Sequence, residues 1–361
     1  MDTESIVYNL NIIRREAQGG YIMPVVKANA YGHGLELVVR RLDREDVAFF
    51  GVANVGEARR VTDAGVGTRP FILGPSLPEE REEIVQRSWG GIISSVEEIA
   101  HFESLCAAHP DSKCSLHLAL DTGMGREGFL PQDLAEVVQR LQASPHLRLE
   151  GLMSHYAAAD EDAAFTQEQY RLFSNAHKEV AHCFPLLYRH ITASAGLITN
   201  SLAPENLARP GLLLYGISPI PGNPLSAELR PALRLLSRVV LVRSLPAGHT
   251  VSYGHTYTTR KPVTRVATVG IGYADGWPRR IATQRAFVYI AGKPCRILGR
   301  ITMDMIMVDV TQVPNVCVGD EVELIGPHQP VTKVAKWAGT IPWEILTGLG
   351  VRLPRIEKSV G

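Results

Sequence analysis

Lys27 is the residue whose type and setting point most directly to chemistry. It follows the apolar run 21–26 and precedes the small residues Ala28-Asn-Ala30, so it stands where a buried strand ends in a turn. Burial disfavours the ammonium form of a lysine, and an unprotonated amine can form a Schiff base with an aldehyde. A lysine that extends its charged end to solvent from a strand edge fits the local sequence equally well.

Four further polar residues occupy comparable positions. Short apolar runs are followed by Arg126, His155 and Ser194, and Arg209 lies just ahead of another run. In a parallel barrel the carboxyl ends of the strands form one rim, where active sites gather. We therefore expect these four side chains to converge with Lys27, which predicts a site without naming its reaction.

The elements that must position these residues follow from eight apolar runs, separated mostly by stretches with helical spacing such as 35–42 and 134–141. The runs are 21–26, 47–52, 70–73, 91–93, 115–120, 149–154, 188–192 and 212–216. Alternating strands and helices predict parallel βα units, and eight such units favour a (β/α)8 barrel of the TIM type. An open, doubly wound sheet would show the same periodicity.

The pattern changes at the Pro- and Gly-rich segment 219–224, which is typical of a linker. Beyond it, apolar runs lie close together and alternate with polar residues, as in 234–243 and 318–324. We predict an α/β barrel over residues 1–228 and a mainly β domain over residues 229–361. Residues 1–10 could associate with the second domain.

Composition narrows the class of protein. The chain has 361 residues, and its 37 Lys and Arg residues equal its 37 Asp and Glu residues, which argues against a nucleic-acid or anionic-membrane partner. No apolar segment is long enough to span a bilayer, and the N-terminus lacks a secretory signal. Five scattered cysteines without a CxxC pair are typical of reduced thiols. We expect a cytoplasmic protein with no metal site.

Two segments suit phosphate binding, Thr192-Ala-Ser194-Ala-Gly196 and Arg209-Pro-Gly211-Leu212. Barrels often hold phosphate at the loops after strands seven and eight, where backbone N–H groups approach closely. Ser194 adds a hydroxyl donor. Each segment taken alone would also fit an ordinary turn before a helix.

Seven blocks of sequence together resemble one enzyme family. They are Pro24-Val-Val-Lys27-Ala-Asn-Ala-Tyr31-Gly-His-Gly34, Asp121-Thr-Gly-Met-Gly-Arg126, Gly151-Leu-Met-Ser-His155, Arg209-Pro-Gly-Leu-Leu-Leu-Tyr215, Val251-Ser-Tyr253-Gly254, Gly272-Tyr273-Ala-Asp-Gly-Trp277 and Gly299-Arg300-Ile-Thr-Met303-Asp304. In this order, across nearly the whole chain, they resemble the alanine racemases. The first block resembles the attachment motif for pyridoxal 5'-phosphate.

The resemblance implies that pyridoxal 5'-phosphate is bound covalently to Lys27 and that the protein interconverts L- and D-alanine by a two-base mechanism. Lys27 would exchange the proton of the D-enantiomer and Tyr253 that of the L-enantiomer. Tyr253 would reach the cofactor of the partner subunit, which implies a homodimer with shared active sites. The product D-alanine would supply peptidoglycan synthesis.

The resemblance also implies individual contacts. Tyr31, Ser194 and the amides of Gly211 and Leu212 would hold the cofactor phosphate. Arg209, bonded to His155, would face the pyridine nitrogen; because arginine keeps its proton, the ring becomes a weaker electron sink and side reactions are limited. Further implied contacts are Arg126 on the cofactor ring oxygen and the substrate carboxylate, and the Met303 backbone of the other subunit on that carboxylate. The resemblance also implies an access channel lined by Asp160, Tyr273, Arg279, Arg300 and Asp304.

Three positions depart from the family pattern. Ala119 replaces a lysine that many relatives carbamylate to orient the arginine, so a bound anion replaces the carbamate or Arg126 is held differently. Val351 replaces a tyrosine that contacts phosphate, which predicts weaker cofactor binding. Residues 2–6 could be a shortened form of an opening strand of the second domain.

Other functions remain open on sequence grounds. A racemase of broader specificity, acting on serine or other amino acids, or a decarboxylase could share the barrel, although Arg209 argues against the decarboxylase. A non-catalytic pyridoxal-phosphate carrier has only the barrel, whereas this chain continues through residues 229–361 with Tyr253 in place.

Overall fold

The computed structural model describes residues 1–199 and 206–358. The chain divides into two compact units. The first is Thr3–Arg230, and the second joins Met1–Asp2 to the chain from Pro231 onward.

The first unit contains parallel strands that are short and mostly buried on both faces, as in a barrel covered by helices. Their bounds are β1 (Tyr21–Ile22), β2 (Phe50–Val52), β3 (Pro70–Ile72), β4 (Gly90–Ile93), β5 (Ser115–Ala119), β6 (Leu149–Met153), β7 (Tyr188–His190) and β8 (Leu207–Ala208). Strands β2 to β7 pair in sequence order, and β1 pairs with β8. Bridges at Val25–Gly51 and Ala193–Arg209 close the ring, which confirms the barrel and excludes the open sheet.

Helices follow most of the strands and bury one apolar face each. Their bounds are α1 (Thr3–Glu16), α2 (Lys27–Tyr31), α3 (Leu35–Leu42), α4 (Val55–Asp63), α5 (Pro78–Gln86), α6 (Val96–Ala108), α7 (Leu134–Gln142), α8 (Ala163–Cys183) and α9 (Ser194–Thr199). The start of α4 is set by Asn54, whose side-chain oxygen accepts the N–H of Glu57 at 2.9 Å. This cap places Glu57 at the first turn of α4, beside the loop after β2.

The barrel interior is packed with side chains and is not a pore. Its apolar cluster consists of Met23, Phe49, Phe71, Ile92, Ala119, Met153 and Leu207. Gly90 lies beneath the Phe71 ring, which an added Cβ would strike. Truncating a fully buried phenylalanine of this kind costs about 3–5 kcal/mol.

The eighth strand is not the run 212–216 that the sequence pattern indicated. Strand β8 is Leu207–Ala208, so Arg209 follows the strand and does not precede it. Leu212–Tyr215 forms a 3₁₀ turn whose four side chains are all buried. A short, continuous apolar run buried on every side has no periodicity that separates strand from helical turn.

The expectation of an opening strand at residues 2–6 was also wrong. Thr3 begins α1, because Ile6, Leu10 and Ile13 recur at helical spacing and are fully buried. Asp2 instead bonds to the second unit, where its N–H donates to the carbonyl of Ala232 at 2.9 Å.

The second unit is mainly β, as predicted, with a closed antiparallel barrel in the order β12–β15–β14–β13–β16–β9. Its elements are β9 (Leu235–Pro246), β10 (Thr250–Val251), β11 (Tyr257–Thr258), β12 (Val263–Val269), β13 (Phe287–Ile290), β14 (Lys293–Leu298), β15 (Ile306–Asp309), β16 (Glu321–Ile325), α10 (Val331–Ala338) and α11 (Pro342–Thr347). The small antiparallel pair β10–β11 carries the 3₁₀ turn Tyr253–His255.

Within residues 1–199 and 206–358, no helix is long and apolar enough to cross a bilayer. No group of three or more His, Cys, Asp or Glu side chains in these ranges could hold a metal ion. The five cysteines are free thiols.

Candidate active site

Lys27 lies at the carboxyl-end rim of the parallel barrel, directly after the extended segment that begins with β1. The preceding residue is held in the ring because the Val26 N–H donates to the carbonyl of Gly51 at 2.8 Å. Burial lowers the pKa of the Lys27 amine, and the cations Arg126 and Arg209 lower it further. The setting therefore favours an unprotonated amine at this rim.

The short element α2, which begins at Lys27, is a left-handed turn and not a regular α-helix. The four residues Ala28–Tyr31 have φ between 51° and 56°, in a region that costs a non-glycine residue about 1–2 kcal/mol. Glu57 holds this turn, since its carboxylate accepts the N–H groups of Ala28 at 2.6 Å and Ala53 at 2.9 Å. Backbone strain retained by its surroundings is typical of functional sites.

Arg209 is almost fully buried beyond the end of β8. Its Nη1 donates to His190 Nδ1 at 2.5 Å, and its Nη2 donates to the Ser154 carbonyl at 2.6 Å and to His155 Nδ1 at 3.1 Å. Because a guanidinium only donates, both imidazole Nδ1 atoms are acceptors. Burial and the charge of Arg209 lower the pKa of His155 to about 3, so its ring is neutral.

Ser194, Gly211 and Tyr31 form a cluster of donors at the same rim. Ser194 Oγ accepts the N–H of Gly211 at 3.0 Å and the N–H of Leu213 at 3.3 Å. An added Cβ on Gly211 would clash with the Tyr31 hydroxyl and lie 2.9 Å from its Cζ. Burial raises the pKa of Tyr31 to about 12, which keeps its phenol proton available for donation. The sequence predicted the amide of Leu212 for this cluster. The structure adds the neighbouring amide, that of Leu213, through its hydrogen bond to Ser194.

Arg126 lies in the loop after β5, where it is half exposed. Its guanidinium forms a two-point ion pair with Glu127, with Nη2–Oε1 at 2.6 Å and Nε–Oε2 at 3.1 Å. Ala119 is buried at the end of β5. The sequence left two ways to hold Arg126 without a lysine at position 119, a bound anion or a different side-chain partner. The structure shows a different partner, the carboxylate of Glu127. Asp160 lies exposed in the loop after β6.

Tyr253 belongs to the second unit, and its side chain is 67% exposed. The turn that presents it is tied down because Ser252 Oγ donates to the carbonyl of Arg300 at 2.6 Å. Gly254 has φ 70° and packs against the Arg300 guanidinium, where an added Cβ would lie 2.9 Å from Nη1. The tyrosine is therefore an exposed side chain on a constrained backbone.

The other second-unit residues that the sequence singled out lie in loops or short 3₁₀ segments. The Met303 carbonyl accepts the N–H of Ala274 at 3.0 Å, which places Tyr273 beside it. Asp304 pairs with Arg352 at 2.8 Å. Arg279 begins the 3₁₀ segment Arg279–Gln284, and Val351 is 97% exposed.

Several polar residues of the first unit escaped the sequence reasoning. They are Glu57, Ser115, His117, Glu127, Glu150 and His190. Ser115 and His117 stand two apart on β5 and are fully buried. Two polar residues spaced two apart inside an otherwise apolar strand indicate buried, hydrogen-bonded side chains. This spacing could have identified Ser115 and His117 from the sequence.

Comparisons with known proteins agree with this arrangement. The family models described as alanine racemase, N-terminal domain, and alanine racemase, C-terminal domain, match residues 1–219 and 232–357. An alanine racemase from Carboxydothermus hydrogenoformans is 37% identical, covering 99% of this chain and 98% of its own. A catabolic alanine racemase from Pseudomonas aeruginosa is 36% identical, covering 99% and 97%.

Solved structures give the same result. The alanine racemase of Clostridium difficile 630 has a TM-score of 0.92 at 30% identity and covers 98% of this chain and 93% of its own. That of Bacillus anthracis, solved with bound L-Ala-P, has a TM-score of 0.89 at 31% identity, covering 100% and 94%. The chain belongs to the alanine racemase family.

Proposed function

We propose that this protein interconverts L- and D-alanine with pyridoxal 5'-phosphate bound to Lys27, and that the D-alanine serves peptidoglycan synthesis. The observation that carries the proposal is the shared rim: the half-buried Lys27, the Arg209 guanidinium and the Ser194–Gly211–Tyr31 donors all lie there.

The residues present fit this cofactor. A phosphate is held by hydroxyl and backbone N–H donors, which Ser194, Tyr31 and the amide of Gly211 supply, with Leu212 next along the chain. Gly211 leaves the space that a Cβ would fill beside the Tyr31 ring. Lys27 supplies an amine whose pKa is lowered by burial, which makes its reactive, unprotonated form easier to reach for reaction with the aldehyde. When bound, pyridoxal phosphate acidifies the α-proton of an amino acid by withdrawing electrons.

Arg209 limits how far that withdrawal goes. The buried His190, the partly buried His155 and the Ser154 carbonyl fix its guanidinium, and an arginine does not transfer its proton at working pH. We infer that Arg209 donates a hydrogen bond to the pyridine nitrogen without protonating it. Proton exchange at Cα is then favoured over decarboxylation and transamination.

Racemisation requires a proton-transfer group on each face of the substrate Cα. Lys27 Nζ serves the D-enantiomer and Tyr253 Oη the L-enantiomer. A tyrosine that is 67% exposed within one chain is suited to enter the site of a second copy, which is why we propose a homodimer with shared sites.

In this proposal, Arg126 of one subunit and the Met303 backbone of the other subunit bind the alanine carboxylate. Arg126 is half exposed, so one face of its guanidinium is open for a two-point contact with a carboxylate. Asp160, Tyr273, Arg279, Arg300 and Asp304 line the access channel.

Exchange in heavy water tests the function. Incubation with single L-amino acids should give D-alanine and α-deuterated alanine from L-alanine, with much slower conversion of L-serine. Equal turnover of several amino acids would favour a broad-specificity racemase, and borohydride reduction should fix the pyridoxyl mass on Lys27.

The variant Tyr253→Phe separates a racemase from a cofactor carrier. A racemase should lose most turnover while keeping its yellow colour, because the phenol acts on the substrate and not in cofactor binding. Tyr289→Phe, a half-buried tyrosine on β13, is the matched control and should keep full activity. Unchanged turnover in Tyr253→Phe would refute the two-base assignment.

A further inference from the structure

A line of hydrogen-bonded side chains leads from Arg209 down the barrel interior. Arg209 Nη1 bonds to His190 Nδ1 at 2.5 Å, and His190 Nε2 lies 2.6 Å from His117 Nδ1. His117 Nε2 lies 3.3 Å from Ser115 Oγ, which in turn bonds to the carboxylate of Glu150. The line therefore connects the catalytic rim with the opposite end of β5 and β6.

The direction of every bond in this line follows from its two ends. Arg209 only donates, so His190 Nδ1 accepts and its proton sits on Nε2. His190 Nε2–H then donates to His117 Nδ1, which leaves His117 with its proton on Nε2. That N–H donates to Ser115 Oγ, and the Ser115 hydroxyl donates to Glu150, because an ionised carboxylate only accepts.

Both histidines are fully buried and neutral. Burial and the charge of Arg209 lower the pKa of His117 to about 3 and the pKa of His190 well below its ordinary value. The line thus has a positive end at Arg209, a negative end at Glu150 and three neutral groups between them. Aligned hydrogen bonds of this kind polarise one another in a low-dielectric interior.

Two features of β6 accommodate this line. The pairing of β5 with β6 skips one residue, so that Leu116 pairs with Leu149 while His117 pairs with Gly151. The extra residue is Glu150, and a bulge re-aims a side chain in this way. Gly151 leaves room for the His117 ring, since an added Cβ would lie 2.7 Å from it.

Glu150 is also anchored at its outer side. Its Oε1 pairs with the exposed Arg148 at 2.7 Å, while its Oε2 accepts from Ser115. One oxygen therefore faces an exposed cation and the other the buried line. If Glu150 only filled space, no continuous line of hydrogen bonds from Arg209 to its carboxylate would be required. The line therefore indicates that Glu150 acts on Arg209.

We propose that Glu150 and Ser115 are remote positioning residues for Arg209, acting through one fixed tautomer of His117 and His190. With the line intact, His190 Nδ1 stays unprotonated and accepts from Arg209, which holds the guanidinium for the pyridine nitrogen. The predicted effect on turnover rests on the proposed function, whereas the predicted tautomers of His117 and His190 do not.

Ser115→Ala tests the tautomer directly. Without the serine acceptor, a His117 Nε2–H would be buried without a partner, so the proton should move to Nδ1 and reverse the His117–His190 bond. Nitrogen NMR of holoenzyme labelled at histidine should show Nε2–H on both rings in the wild type and Nδ1–H on both His117 and His190 in Ser115→Ala. Wild-type histidine signals in this variant would overturn the proposal.

Turnover and colour provide a second reading. Ser115→Ala and Glu150→Gln should lower kcat for alanine roughly five- to tenfold with little change in KM, and should shift the visible absorption of the bound cofactor. Ser115→Thr keeps the hydroxyl and should restore both. Ser144→Ala and Glu136→Gln, exposed positions on or beside α7, are the matched controls.

The measurements distinguish failure of the positioning role from failure of the proposed function. An unchanged kcat and spectrum in both Ser115→Ala and Glu150→Gln would overturn the positioning role. So would a loss of kcat that Ser115→Thr does not restore, provided that the unfolding midpoints of the variants match the wild type. The NMR reading needs no turnover, so a wild-type protein that fails to racemise alanine would refute the proposed function and leave the tautomer test intact.

Discussion

Arg126 and Glu127 are adjacent in sequence, and their side chains form a two-point ion pair, with Nη2–Oε1 at 2.6 Å and Nε–Oε2 at 3.1 Å. Adjacent side chains on a regular helix do not face each other, so this pair depends on the irregular loop after β5. Glu127 is mostly buried while Arg126 is half exposed. The carboxylate of Glu127 therefore orients the Arg126 guanidinium in this chain, where Ala119 occupies the position of the lysine that orients this arginine in many relatives.

Glu127→Gln should raise the KM for alanine about fivefold, with a smaller change in kcat. A half-exposed ion pair contributes about 1 kcal/mol, and its loss frees Arg126 to sample other rotamers. Steady-state kinetics in both reaction directions measures the effect. Glu136→Gln, which breaks an exposed pair with Arg140 on α7, is the matched control, and equal KM values in the two variants would contradict the orienting role.

The pH dependence of cofactor capture reports the Lys27 amine. Its pKa is lowered from the ordinary value of 10.5 by burial and by two arginines, so the reactive, unprotonated form is more abundant at any pH below that value. The rate at which cofactor-free protein captures pyridoxal phosphate should rise with pH and level off below pH 10.5. Nα-acetyl-lysine is the reference, and a midpoint at or above that of the reference would show that burial does not tune this amine.

Gly211→Ala should weaken pyridoxal-phosphate binding by at least about fivefold. The new methyl group would overlap the Tyr31 ring, and overpacking of this kind costs about 1–3 kcal/mol. Titration of cofactor-free protein followed by absorbance gives the dissociation constant. Gly67→Ala, where the nearest atoms lie 4.0 Å from the added Cβ, should bind as the wild type does, and equal affinities would remove Gly211 from the cofactor site.

Mixing two inactive variants tests the shared site. Lys27→Ala and Tyr253→Phe should each lose activity alone, but in the proposed dimer a mixed pair would combine the intact Lys27 of one chain with the intact Tyr253 of the other. Random exchange in a dimer with two sites should restore about a quarter of wild-type activity. Recovery should also fall on dilution; absence of recovery despite proven subunit exchange would place both groups in one chain.

The sequence was sufficient to propose the reactive residues and to predict the architecture of both units. Lys27 after an apolar run, seven motif blocks in order, and the change from helical spacing to strand alternation after residue 224 depend only on local residue order. Local periodicity and turn chemistry are properties of neighbouring residues, so they can be read without coordinates.

Tertiary structure decided what depends on residues distant in sequence. The run at 212–216 is a buried 3₁₀ turn and not a strand, because burial on every side removes the periodicity that would distinguish the two. The line from Arg209 to Glu150 joins positions 59 residues apart through three strands, and only ring closure and the bulge at Glu150 bring them together. Hydrogen bonds across a barrel are fixed by register and packing, which no stretch of neighbouring residues records.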